Sequence, residues 1–108
     1  MTGTAKSELN EIKRAGGKPQ PNSGRGTHKK GDGMLYPFCF DVKEYAKSYS
    51  ISRKSWAKCC TDAWSSNNSL PALNLVLGDT ERVRLWVISD ATFQEMREAW
   101  IEKYGESE

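Results

Sequence analysis

In the run Phe38-Cys39-Phe40-Asp41-Val42-Lys43 an aromatic or aliphatic residue stands at every second position. A strand repeats its side-chain direction every two residues, so Phe38, Phe40 and Val42 share one face and Asp41 and Lys43 share the other. A chain that buries the first face in a core must therefore project a carboxylate and an ammonium, side by side, from the second. A similar alternation recurs later. Leu73, Leu75 and Leu77 alternate with Ala72, Asn74 and Val76, the turn Gly78-Asp79-Thr80-Glu81 follows, and a partner strand is predicted from Arg82 to Ile88.

Helical periodicity fills most of the remaining chain. Ala5, Leu9, Ile12 and Ala15 recur at helical spacing, which predicts a short helix over Thr4 to Ala15, stopped by Gly16-Gly17. Pro19 and Pro21 favour an extended stretch from Lys18 to Asn22, and the glycine-rich segment from Ser23 to Gly33 reads as a loop or loose hairpin. One strand is expected from about Leu35 to Tyr45, with Pro37 near its start placing it at an edge or delaying its pairing. Ser52 then caps a second helix. Ile51 and Trp56 occupy the two positions of a hydrophobic staple, and Trp56, Cys60, Ala63 and Trp64 form the stripe, ended by Ser65-Ser66-Asn67-Asn68-Ser69. Ser89 or Asp90 caps a last helix bearing Phe93, Met96, Trp100 and Tyr104 on one face, with Gly105 at its end. The Trp56/Trp64 and Phe93/Met96/Trp100 stripes are expected in the core or in a dimer interface. Helix, strand, helix, hairpin and helix in this order describe an α/β layer fold, a small mixed sheet with helices packed against it.

The 108 residues, 37% hydrophobic and 28% charged, suit one soluble domain with a modest core. Net charge is +2, but the two halves differ in sign: residues 1 to 54 hold eleven Lys/Arg and five Asp/Glu, residues 55 to 108 five and nine. The first half is the expected polyanion-facing half. Cys39, Cys59 and Cys60 include no CxxC spacing, which points to reduced thiols rather than to a disulfide framework or a zinc site. With no apolar run of membrane-span length and no signal-peptide pattern, the expected location is the cytoplasm, without a membrane partner. The ends, up to about Lys6 and after Gly105, carry no structural expectation.

A carboxylate beside an ammonium on one strand face is what metal-dependent phosphodiester hydrolysis requires: a ligand for a hard cation and a positive group to orient water. So short a pattern is common, and Glu11-Ile12-Lys13 also fits it. Context carries more weight. Asp32 stands nine residues before Asp41, a separation that either a hairpin or a tight crossing can close so that both carboxylates share a cation, with glycines on both sides to ease the approach. A third carboxylate is available from the first helix. At about 100° per residue, Glu8 lies about 65° from the centre of the Ala5/Leu9/Ile12/Gly16 face and Glu11 about 125° from it, so Glu8 is expected to look inward and Glu11 to face solvent. Arg25, Lys29, Lys30, Lys47, Arg53 and Lys54 are candidate phosphate contacts and read equally as a solubilising surface. His28 is left outside the catalytic set, and Asn22-Ser23-Gly24 is also an ordinary turn tripeptide.

Taken together, Ser7-Glu8, Gly16-Gly17, Gln20-Pro21-Asn22-Ser23-Gly24, Lys30-Gly31-Asp32, Phe40-Asp41-Val42-Lys43, Ser50-Ile51-Ser52 with Trp56, and Pro71-Ala72-Leu73 carry a resemblance. Over about Glu8 to Trp100 and in this order, the chain resembles the small phage-encoded Holliday-junction resolvases of the PD-(D/E)xK nuclease superfamily. The resemblance implies a restriction-endonuclease-like core, a homodimer, and branched DNA as substrate. It further implies that Glu8, Asp32 and Asp41 bind Mg²⁺ or Mn²⁺, that Lys43 orients or activates the attacking water, and that Ser23 sits beside the scissile phosphate. Asp41 stands where relatives mostly carry Glu, one methylene shorter, which places the metal nearer the strand. The activity expected is hydrolytic resolution of four-way junctions, with no organic cofactor. A nicking or flap-type nuclease of the same superfamily, and a basic nucleic-acid-binding protein without catalysis, are the alternatives.

Overall fold

The computed structural model describes residues 5–20 and 32–107. In chain order the elements are α1 (Ala5–Arg14), β1 (Lys18–Pro19), β2 (Gly33–Leu35), β3 (Phe38–Tyr45), α2 (Arg53–Ser65), β4 (Leu70–Leu77), β5 (Val83–Val87) and α3 (Asp90–Tyr104). The five strands form one sheet in the order β1-β2-β3-β4-β5. Only β3 and β4 pair in parallel, from Phe38↔Leu70 to Tyr45↔Leu77, with α2 as the crossover between them. The architecture is therefore α/β, a mixed sheet flanked by helices. Among the described residues no helix is long and apolar enough to cross a membrane.

The strand predicted from Leu35 to Tyr45 is two strands. Proline has no N–H to donate to a ladder, and here Tyr36 and Pro37, joined by a cis peptide bond, form the turn of a β2–β3 hairpin whose innermost pair is Leu35↔Phe38. The parity expected within β3 is the parity found. Phe40 and Val42 pack with Ile12 of α1, Ala72 and Val76, while Asp41 faces the other way, toward Cys59 of α2. On that second side Cys59 packs with Leu73 and Leu75, supported by Tyr49, Trp56 and Val87. Because β4 is covered on both sides, Ala72 through Val76 are all buried, which is why its sequence reads as a nearly continuous apolar run.

Local chemistry sets the helix ends. Gly16, at φ 89°, and Gly17 donate their N–H groups to Lys13 O and Ile12 O, the paired bonds of a Schellman stop, so α1 ends where Gly16-Gly17 was expected to end it. Ser52 and Ser55 cap α2 reciprocally, and Ser89 rather than Asp90 caps α3 by accepting from Thr92 N.

Two expectations about helix faces are corrected, and a third loses one of its two alternatives. The buried side of α2 is Cys59, Asp62 and Ala63, and Trp64, about 100° further round from Ala63, is 75% exposed rather than part of the stripe. Glu11 is buried instead of facing solvent, because Arg82 and Arg84 of the distant β4–β5 hairpin reach it. Phe93, Met96, Trp100 and Tyr104 are not core of this chain: each is more than half exposed.

Candidate active site

The β2–β3 hairpin brings the two aspartates together. Its last ladder pair is Gly33↔Phe40, so one step further the same register sets Asp32 opposite Asp41. The Asp32 N–H is shared between Phe40 O at 3.0 Å and Asp41 Oδ1 at 3.2 Å, and Asp32 Oδ2 accepts the Val42 N–H at 2.8 Å. The second carboxylate therefore occupies the β3 edge where β2 has ended, taking up a backbone donor that a strand would have taken. Asp41 is 6% exposed, and its remaining oxygen, Oδ2, accepts the thiol of Cys59 at 3.3 Å. Burial, then the adjacent Asp41 charge, push the Cys59 thiol up to about 12, so it stays a protonated donor. Cys59, expected from the sequence only to be a reduced thiol, thus also holds a candidate ligand in place.

Glu8, on α1, lies within electrostatic reach of these two carboxylates. Its carboxyl is held above the ordinary 4.5, first by partial burial and then by the charges of Asp32, Glu44 and Asp41, with Lys43 acting in the opposite direction. The acids expected at 8, 32 and 41 are thus within electrostatic reach of one another and of Lys43. Among the described residues, Lys43 makes no ion pair. Hard oxygen donors whose like charges raise a carboxyl's proton affinity are the chemistry that suits Mg²⁺ or Mn²⁺. Each hydrogen-bonded carboxylate oxygen also keeps a second lone pair. Among the described residues, however, no group of three or more His, Cys, Asp or Glu side chains is arranged to hold a metal ion.

Sequence reasoning missed a second charged group on the α1 side of the sheet. Glu44, 3% exposed, accepts from Ser7 at 2.7 Å and pairs with Arg82 at 2.6 Å. Arg82 also reaches Glu11 at 3.2 Å, and Arg84 pairs with Glu11 at 3.0 Å. Strand parity contained the signal, since Glu44 falls on the face of Phe38, Phe40 and Val42. This network ties α1 to β3 and β5, and so positions Glu8. The other oxygen of Glu44, Oε2, is buried and has no hydrogen-bond partner among the described residues.

Lys47, Arg53 and Lys54 are exposed at the end of the domain where β3 leads into α2. They flank the positive N-terminal end of that helix, an arrangement that favours phosphate. Gln20 is buried, donates to Ser66 Oγ at 3.2 Å, and donates its N–H to Asp32 O at 3.1 Å, so the chain at residue 20 lies beside Asp32. Ser23, Arg25, His28, Lys29 and Lys30 lie outside the described residues.

Comparison with protein-family models finds no match, and comparisons with curated proteins and with solved structures find no significant one.

Proposed function

We propose that the chain is a metal-dependent endodeoxyribonuclease of restriction-endonuclease-like architecture that resolves four-way DNA junctions. The observation that carries the reading is the hairpin register that sets Asp32 against Asp41, two residues from Lys43 on the same strand face. Glu8, Asp32 and Asp41 would hold the cation. A bound Mg²⁺ or Mn²⁺ supplies Lewis-acid polarisation of the scissile phosphate and a more acidic water. Lys43 contributes a fixed positive charge against the phosphate as negative charge develops on it, and hydrolysis proceeds without a covalent enzyme intermediate. Lys47, Arg53 and Lys54, with Arg25, Lys29 and Lys30, contact the DNA backbone, so recognition is by shape and charge rather than by base edges. Ser23 is assigned to the scissile phosphate on the resemblance alone. A four-way junction has two-fold symmetry, which a homodimer with two equivalent sites matches.

A second reading is a junction-binding protein without catalysis, favoured by the hydrogen bonds that already occupy both oxygens of Asp41. Cleavage of a synthetic four-way junction in Mg²⁺ separates the two. The wild-type chain is expected to nick it, and Asp32→Asn and Lys43→Ala to lose at least a hundredfold in rate while still binding. Equal cutting by wild type and Asp32→Asn removes the assignment. Asp41→Asn is expected to lose cleavage and, without metal, to bind the junction as tightly as wild type or more so, because a negative charge facing the phosphates is gone.

A further inference from the structure

Helix α2 carries its charges against its own dipole. The N-terminus of a helix is its positive end and the C-terminus its negative one, so carboxylates favour the first turn and cations the last. In α2 the order is reversed: Arg53 and Lys54 open the helix, Asp62 stands in its last turn, and neither an acid in the first turn nor a base in the last offsets them. Asp62 is also buried, and it accepts from Lys58 Nζ at 2.7 Å. A lysine four residues before an acid is the less stabilising order on a helix, so helix stability does not account for the pair. Local choices that work against the fold gather where a protein binds or reacts.

Lys54, Lys58 and Asp62 recur every four residues and so form one ridge along α2, beside the buried Cys59 and Ala63. The Cys59 thiol donates to Asp41 Oδ2 at 3.3 Å, which sets its chain neighbour Lys58 next to the candidate active site. Lys43 and Lys58 both act on that thiol, lowering its proton affinity against burial and the Asp41 charge. Two ammonium groups thus flank Asp41, one from the sheet and one from the helix. The Lys58 side chain is 71% exposed while that of Asp62 is 11% exposed, so a fixed carboxylate holds a cation that faces solvent. An ammonium has three donors, and after the bond to Asp62 two are left for oxygens arriving from outside. Toward the helix N-terminus, Lys54 is one turn away, about 6 Å along the axis. We propose that Lys58, anchored by Asp62, binds a phosphate of the scissile strand beside the one that is cut, the backbone following the α2 ridge from Arg53 and Lys54 to the acids. This assignment rests on the nuclease reading for the position of the cut, and Lys58 is a substrate contact to which that reading gives no role.

Neutral methylphosphonates, placed singly along one strand of a synthetic four-way junction, test this through affinity measured by fluorescence anisotropy without metal. Cut positions are mapped on the unmodified junction in Mg²⁺. Neutralising a phosphate that meets a cation is expected to weaken binding of the wild type by up to about fivefold, the upper range of an exposed ion pair. For Lys58→Gln, with unchanged far-UV circular dichroism, one such position within a nucleotide or two of the cut is expected to lose its penalty while the others keep theirs. Lys58→Arg is expected to restore that penalty in part, and Asp62→Asn to diminish it at the same position alone. A Lys58→Gln profile that matches the wild type at every position, one lowered evenly at all of them, or a lost penalty far from the cut overturns the proposal. A wild type that binds without nicking removes the nuclease reading, and the affinity profile then decides the Lys58 contact by itself.

Discussion

Folding opposes the ionisation of Glu8 and holds its carboxyl above the ordinary value. Partial burial comes first, and the carboxylates of Asp32, Glu44 and Asp41 add to it. The sign follows from linkage: a carboxyl whose proton affinity is raised by folding adds nothing below the unfolded value near 4.5. As pH rises past that value, the unfolded chain gives up the proton more readily, so the native state loses stability until its own carboxyl ionises. Glu8→Gln is therefore expected to match the wild type in melting temperature near pH 4 and to exceed it near pH 8. A divalent cation is expected to raise the wild type more than the variant. Melting curves at the two pH values, with and without Mn²⁺, check both effects; a difference independent of pH contradicts the crowding of charge around Glu8.

At the scale of elements, the Arg84–Glu11–Arg82–Glu44 network joins α1 to β3 and β5 through charges that the core has partly desolvated. Arg82→Met removes the cation beside Glu44, a carboxylate 3% exposed, and is expected to cost about 3 kcal/mol in urea denaturation. Arg82→Met/Glu44→Met is expected to recover most of it, because no uncompensated charge is left in the sheet. A double variant as unstable as the single one contradicts this reading. The network also marks where sequence reading stopped. Strand parity over 38–43, the hairpin around Gly78 and the caps at Gly16 and Ser52 depend on neighbours within a few residues, and all were legible. The partners of Glu11 lie about seventy residues away, and a helical wheel that equates burial with apolarity turns Glu11 outward. The single strand expected from Leu35 failed for a related reason: Pro37 was weighed as a strand residue, whereas its missing N–H suits the turn that lets β2 fold back. That fold-back is what sets Asp32 opposite Asp41, so the candidate site was legible in composition before its geometry was.

For the whole molecule, the sign change in charge along the chain sets two regions apart. Lys43 belongs to β3, Lys47 to the connection that follows it, and Arg53 and Lys54 to the start of α2, while α3, net negative, carries the uncovered apolar stripe. If the basic end meets a junction, each phosphate contact removed lowers the dependence of log affinity on log salt by about 0.9. Arg53→Gln/Lys54→Gln is expected to reduce that slope by about 2 in filter-binding or anisotropy titrations, and an unchanged slope contradicts their role. The helices' outward faces were the least legible part of the architecture, because a stripe such as Phe93/Met96/Trp100/Tyr104 looks the same whether its own chain or another covers it. The central proposal is that Glu8, Asp32 and Asp41 would hold one divalent ion with Lys43 close by. A crystal soaked in Mn²⁺ and measured at the manganese edge tests it most directly: the expected result is an anomalous peak ligated by Asp32 and Asp41 within reach of Glu8, and no peak there, or one held by other residues alone, contradicts it.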